Sequence, residues 1–159
     1  MKLILCLIFM LISAKECDKN KTQIATETTM EMSDRNTQEN MKLTYQAVSR
    51  GFFLKIWVEG DSLSFTSDYN LKEVNTYQIS QEEKEALLTL LNNIDATALP
   101  GLESPSKAHQ YDGAAIATFE ISKDEEIYKT SAFDHGNPSV VIKDLVEKML
   151  SIKTMLEKQ

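Results

Sequence analysis

The stretch Gly51-Phe52-Phe53-Leu54-Lys55-Ile56-Trp57-Val58-Glu59-Gly60-Asp61-Ser62-Leu63-Ser64-Phe65 decides the fold. Its first half is dense in aromatic and β-branched residues, which suit a pleated surface. Glu59-Gly60-Asp61 closes it as a hairpin turn, with Gly60 free to take positive φ, and Leu63 and Phe65 resume apolar positions two apart. Two adjacent antiparallel strands are expected. A period of two puts Phe52, Leu54, Ile56 and Val58 on one face and Phe53, Lys55, Trp57 and Glu59 on the other.

Upstream, Leu43 to Ala47 alternates and ends at Arg50-Gly51, so a further strand precedes the hairpin. Downstream, Val74 to Ile79 reads as a fourth strand. Ser80-Gln81-Glu82-Glu83 then fits a capping box, in which a serine oxygen and a glutamate three residues on satisfy free amides at a helix start. Leu87, Leu88, Leu91 and Ile94 mark that helix's buried stripe, and Pro100-Gly101 lies beyond its end. Ala115 to Ile121 and Ile127 to Phe133 predict a second hairpin around Lys123-Asp124. Asn137-Pro138 opens a last helix with Val141, Leu145, Met149, Ile152 and Leu156 on one face. The order ββββαββα has strands in runs rather than alternating with helices. It predicts an α+β domain over residues 41–159, an antiparallel sheet of about six strands covered on one face by two helices. A domain of that size supports its own core without a disulfide.

Residues 1–16 have a different texture. After Met1-Lys2, Leu3 to Ile12 is an unbroken apolar run, too short for the roughly 20 residues of a membrane span and suited to a signal-peptide core of about 7 to 15. Export is the expectation. Two processing sites are open. Cleavage can follow Ala14, or Cys17 can be acylated at the head of the polar run Cys17-Asp18-Lys19-Asn20-Lys21, which resembles the processing site of bacterial lipoproteins although Lys15 and Glu16 precede it. Residues 17–40 are almost wholly polar and cannot bury enough to order themselves, so they are expected to be a tether with an r.m.s. span of about 27 Å.

With 17 basic against 24 acidic residues the net charge is −7, which gives no positive field to displace counterions from a phosphate backbone. Nucleic acid is therefore not an expected partner, and membrane attachment must come from a lipid on Cys17. Five isolated glycines build no phosphate-cradling loop, and no Gly-x-Ser-x-Gly elbow occurs. No cofactor is expected.

Two constellations remain. If Lys123-Asp124 is a two-residue turn, Asp112 stands opposite His135 and Gly113 opposite Asp134, gathering His109, Asp112, Asp134 and His135 at one end of the sheet. Imidazoles and carboxylates are ligands for zinc-like ions and acid–base groups, but the spacing matches no metal motif, and Asp, Gly, Asn and Pro here are equally turn chemistry. The second constellation is Phe53 with Trp57. On a sheet covered from one side only they form an exposed aromatic pair suited to a protein or glycan partner; otherwise they lie under the loop from Pro100 to Gln110 or under the last helix.

Ser49-Arg50-Gly51-Phe52-Phe53, Tyr111-Asp112-Gly113-Ala114-Ala115 and Phe133-Asp134-His135-Gly136-Asn137-Pro138 together resemble a loose group of small bacterial envelope lipoproteins with no assigned function. The resemblance runs from Tyr45 to Ile152. It implies an exported protein of the cell envelope and transfers no activity. The expectation is a membrane-tethered, non-enzymatic module that binds an envelope protein or glycan. The alternative is a small metal-binding or hydrolytic protein using the Asp112/Asp134/His135 cluster.

Overall fold

Alternation drives the first strands together. In the computed structural model, which describes residues 41–158, β1 (Lys42–Ser49) buries Leu43, Tyr45 and Ala47, and β2 (Phe52–Glu59) buries Leu54, Ile56 and Val58. Antiparallel pairing sets Tyr45 opposite Ile56 and Ala47 opposite Leu54, so one face of both strands is apolar. The tight turn at Gly60, φ 60°, leads to β3 (Ser62–Thr66), which pairs with β2 and then with β4 (Asn75–Gln78). Beyond the 3-10 turns Ala96–Gly101 and Ala108–Tyr111 come β5 (Ile116–Lys123), β6 (Glu126–Lys129) and the short β7 (Phe133–Asp134).

The sheet order is β4-β3-β2-β1-β5-β6, with β7 also paired to β5, and every pairing is antiparallel. The architecture is the expected α+β, with seven strands. The predicted run Ile127 to Phe133 divides into β6 and β7.

Helix α1 (Gln81–Leu91) starts where the capping signal places it: Ser80 Oγ accepts from the Glu83 amide at 3.2 Å, and Leu87 and Leu91 are buried. Helix α2 (Val140–Leu156) begins just after Pro138 and buries Ile142, Leu145, Val146, Met149, Ile152 and Leu156. Val141, placed by sequence on the buried face, is exposed; Ile142 and Val146 occupy that arc instead. The two helices touch, joined by the Lys148–Glu83 ion pair at 2.6 Å, and their apolar stripes share one core with the inward residues of β1, β2, β3 and β5. Both helices serve the same sheet face, because only that face carries continuous apolar side chains.

One expectation is corrected. The second hairpin turns at Asp124-Glu125, not Lys123-Asp124, since Lys123 pairs with Glu126 and the two turn residues hold φ of 50° and 69°. That double left-handed geometry usually recruits Asn or Gly, and neither is present to mark it in the sequence. One more residue is absorbed between Thr130, whose amide donates to Phe119, and Phe133, which faces Ala117. Ala115, not Asp112, therefore stands opposite His135, and the His135 amide donates to the Ala115 carbonyl at 2.9 Å. The expected leader 1–16, Cys17 and the expected tether 17–40 lie outside the described residues.

Candidate functional site

The face of the sheet away from the helices is polar with aromatic islands. Register puts Thr76, Ser64, Trp57, Thr44 and Glu120 in one row across five strands, and Thr66, Lys55, Gln46 and Thr118 in the next. A third row carries Phe53, Val48 and Ile116. Phe53 and Trp57 are half-buried, and neither lies in the core. Phe53 stacks edge-on against Tyr69, itself 71% exposed, with centroids 5.2 Å apart. The Trp57 ring is flanked by two ammonium groups, Lys42 and Lys55, each 5.8 Å from its centroid. A cation over the indole face is attracted by the ring quadrupole; Lys42 is also held there by an ion pair with Glu59 at 3.0 Å.

Tyr69 is held by a loop organised around Asp68. That carboxylate accepts from the amides of Asn70 at 3.0 Å and Lys72 at 2.8 Å, which hold its carboxyl below the usual range. Thr66 ties the loop's far end by donating its hydroxyl proton to the Glu73 carbonyl.

The second region is the corner where β7 meets the loop before β5. Asp134 is only 4% exposed, and its carboxylate accepts from the Ser106 hydroxyl, the Ala108 amide at 3.0 Å and the His109 amide at 2.7 Å. His109 Nδ1 lies 2.6 Å from the same group. The Ser106 hydroxyl first, then the amide and ring nitrogen of His109 and the Ala108 amide, hold the Asp134 carboxyl far below the ordinary range against the opposing effect of burial. An ionised carboxylate only accepts, so His109 Nδ1 donates; in the neutral ring Nε2 then carries the lone pair. The ring borders a cleft of about 410 Å³ shared with Ser104, Lys107, Gln110 and Ser131.

His135 follows Asp134 in sequence but points to the opposite side of the sheet. Its Nδ1 meets the Tyr45 hydroxyl at 2.6 Å, and its ring lies 5.3 Å from that of Phe52. Burial pushes the Tyr45 phenol up to about 12, against the Gly136 amide that donates to it, and burial pushes the His135 imidazole down. The neutral phenol donates and Nδ1 of His135 accepts. Asp112 stands exposed in the left-handed region, φ 57°, beside a shallow cleft bordered by Ser49, Arg50, Gly113 and Ala114. Space beside Gly113 is tight: a Cβ would meet the Ala108 carbonyl oxygen at 3.2 Å.

Of the four residues grouped by sequence, the structure brings together His109 and Asp134, turns His135 to another partner and leaves Asp112 outside both contacts. Among the described residues no three His, Cys, Asp or Glu side chains converge as metal ligands would. Lys42, Tyr45, Tyr69 and Ser106 escaped the sequence reading. Lys42 is recoverable from the hairpin register, which puts it diagonal to Trp57; nothing local marks the other three. No family model matches the chain, and no curated protein matches it.

Proposed function

We propose that this protein is an exported, lipid-tethered envelope module that binds a protein or glycan partner through the uncovered face of its sheet, without catalysing a reaction. The observation that carries the reading is the pair of aromatic platforms, Phe53 with Tyr69 and Trp57 between Lys42 and Lys55, on the face that the two helices leave free. Aromatic rings with one side open supply large contact area at little conformational cost, and neighbouring polar groups orient the partner. Export and tethering rest on the apolar run Leu3 to Ile12 and on Cys17.

The test is cross-linking in the producing cell with the intact protein beside a Phe53→Ala/Trp57→Ala variant. A stoichiometric partner held by the first and lost by the second is expected; identical recovery from both removes the binding face. Mass spectrometry of the mature N-terminus tests the anchor: a diacylglyceryl mass on Cys17, absent in Cys17→Ser, is expected, and a free N-terminus at Lys15 overturns it.

One observation favours a second reading, hydrolysis at the β7 corner. A buried carboxylate holding Nδ1 of a histidine that borders a cleft is the arrangement that prepares Nε2 as a proton acceptor. A panel of ester and phosphoester substrates decides it. Turnover abolished by His109→Gln supports hydrolysis, and a wild-type rate equal to that of the variant ends it.

A further inference from the structure

We propose that the cleft at the β7 corner hydrolyses short-chain carboxylic esters by direct attack of water, with His109 as the base, Lys107 facing the developing oxyanion, and no serine acylated on the way. This rests on the second reading of function, hydrolysis at that corner, and names its substrate class and its nucleophile.

The base comes first. The His109 side chain is only 8% exposed, and its Nδ1 proton is committed to Asp134. Nε2 has no protein partner among the described residues. A sealed nitrogen without a partner would be costly. Nε2 is not sealed: among these residues Glu83 Oε2 is the one buried side-chain nitrogen or oxygen left without a partner, and the His109 ring borders the cleft. Its lone pair is therefore open to a small molecule while the other ring nitrogen is pinned. The pin is itself held, because Asn137 donates to Ser106 Oγ at 2.8 Å and Ser106 donates to Asp134. Ser106 and Asp134 are positioning residues, fixed before any substrate arrives.

The nucleophile follows from where the hydroxyl protons go. Three serines lie at this corner. Ser104 donates to the Ser106 carbonyl, Ser131 to the Pro100 carbonyl at 3.2 Å, and Ser106 to Asp134. None directs its proton at Nε2, as a nucleophilic serine must. Water takes that place. Its oxygen bonds the ester carbonyl carbon while one of its protons passes to Nε2. The tetrahedral intermediate then re-forms the carbonyl and expels the alcohol oxygen, which takes that proton from Nε2. Acid and alcohol leave, and His109 returns neutral.

Size and charge name the substrate. The cleft holds about 410 Å³, near the lower end of the roughly 300–1,000 Å³ usual for ligand sites, and Leu102 and Ala132 are its only apolar side chains. An acetyl or propionyl group suits it, and a long acyl chain finds no apolar wall. Lys107 is exposed on the rim with no ion pair among the described residues, which leaves its ammonium for one transient negative oxygen. Glu103 on the same rim and the ionised Asp134 behind the histidine oppose a phosphate dianion.

The experiment gives the full-length protein 4-methylumbelliferyl acetate, octanoate and phosphate in parallel and follows the released fluorophore from the first turnover, with His109→Gln as the blank for reaction elsewhere on the chain. Turnover of acetate well above that of octanoate and phosphate, without a burst beyond the blank, is expected. His109→Gln is expected to lower kcat by about a hundredfold or more. Lys107→Gln is expected to lower kcat roughly tenfold with KM little changed, the split of a group that acts on the transition state and not on substrate binding.

A burst beyond the blank, equal to the protein concentration, reveals an acyl-enzyme and overturns attack by water while hydrolysis stands. Octanoate or phosphate turned over faster than acetate overturns the short-ester assignment and likewise leaves hydrolysis standing. No turnover of any of the three, or a rate unchanged in His109→Gln, ends both the proposal and the hydrolysis reading. The order of the three substrates is a wild-type measurement, so it decides the assignment even where a variant melts early.

Discussion

The two faces of β2 are built from alternate residues of one strand, yet they obey different rules. Leu54, Ile56 and Val58 disappear into a core closed by α1 and α2, while Phe53, Lys55 and Trp57 stay half-buried on the face turned away from both of these helices. Hydrophobic content alone does not separate them, since the uncovered face holds the larger rings. The difference is what lies across the sheet: apolar partners such as Tyr45 and Phe119 on one side, Thr44, Gln46 and Thr118 on the other. A strand's faces are assigned by its neighbours, and an aromatic side chain among hydroxyls stays half open to solvent.

That contrast can be broken hardest at the core. Phe119 is fully buried beside Tyr45, and Phe119→Ala is expected to cost about 3–5 kcal/mol in denaturant unfolding through lost burial and the cavity left behind. Trp57→Ala, the larger truncation, is expected to cost clearly less because its ring is only half-buried. A Trp57→Ala cost equal to that of Phe119→Ala would show that the uncovered face is core after all.

The second effect in size concerns the β7 corner. Asp134 ties the 104–109 segment to the sheet only while ionised. Its folded value is depressed, so the stabilisation is present above the ordinary 3.8 and is lost as pH falls below it. Acid unfolding followed by circular dichroism is expected to show this limb, and Asp134→Asn should flatten it while accelerating amide exchange at Ala108 and His109 at neutral pH. Unchanged exchange in the variant would remove the carboxylate's role as a staple.

Smaller effects come from the Tyr45–His135 contact, which reaches from the core to the sheet's end. The Tyr45 value is raised, so stability holds up to about pH 10 and declines between there and about 12, as the unfolded chain ionises first. His135 is depressed, so stability declines as pH falls below 6.5. Tyr45→Phe is expected to remove the alkaline decline and to cost about 1–2 kcal/mol at neutral pH for the lost hydrogen bond. A stability profile in which the alkaline decline persists in that variant would assign it to other groups.

Smallest in energy and sharpest in structure is the tautomer contrast between the two histidines. Nitrogen-15 spectra of the neutral rings are expected to show His109 protonated at Nδ1 and His135 at Nε2, because one faces a carboxylate and the other a phenol. The same tautomer at both would contradict one of the two contacts.

Much of this was legible in the chain. The faces of β2, the turn at Gly60, the Ser80 cap and the α2 stripe follow from period and turn chemistry, which are local. The hairpin turns at Asp124-Glu125, whose residues do not advertise its geometry, and this shift together with the extra residue beyond Thr130 puts Ala115 instead of Asp112 opposite His135. Registers add: a slip of two at the turn and one more beyond Thr130 sends a whole candidate site to the wrong partners.

By itself the sequence determined the fold class and the sides on which Phe53 and Trp57 lie, because each depends on residues within a few positions of one another. Only the tertiary structure decided that Lys42 and Lys55 converge on Trp57, that Tyr69 closes on Phe53, and that Asp134 takes His109 while His135 takes Tyr45. Those contacts join residues as far as 90 positions apart, and their geometry is set by strand register and loop closure, which no local pattern encodes.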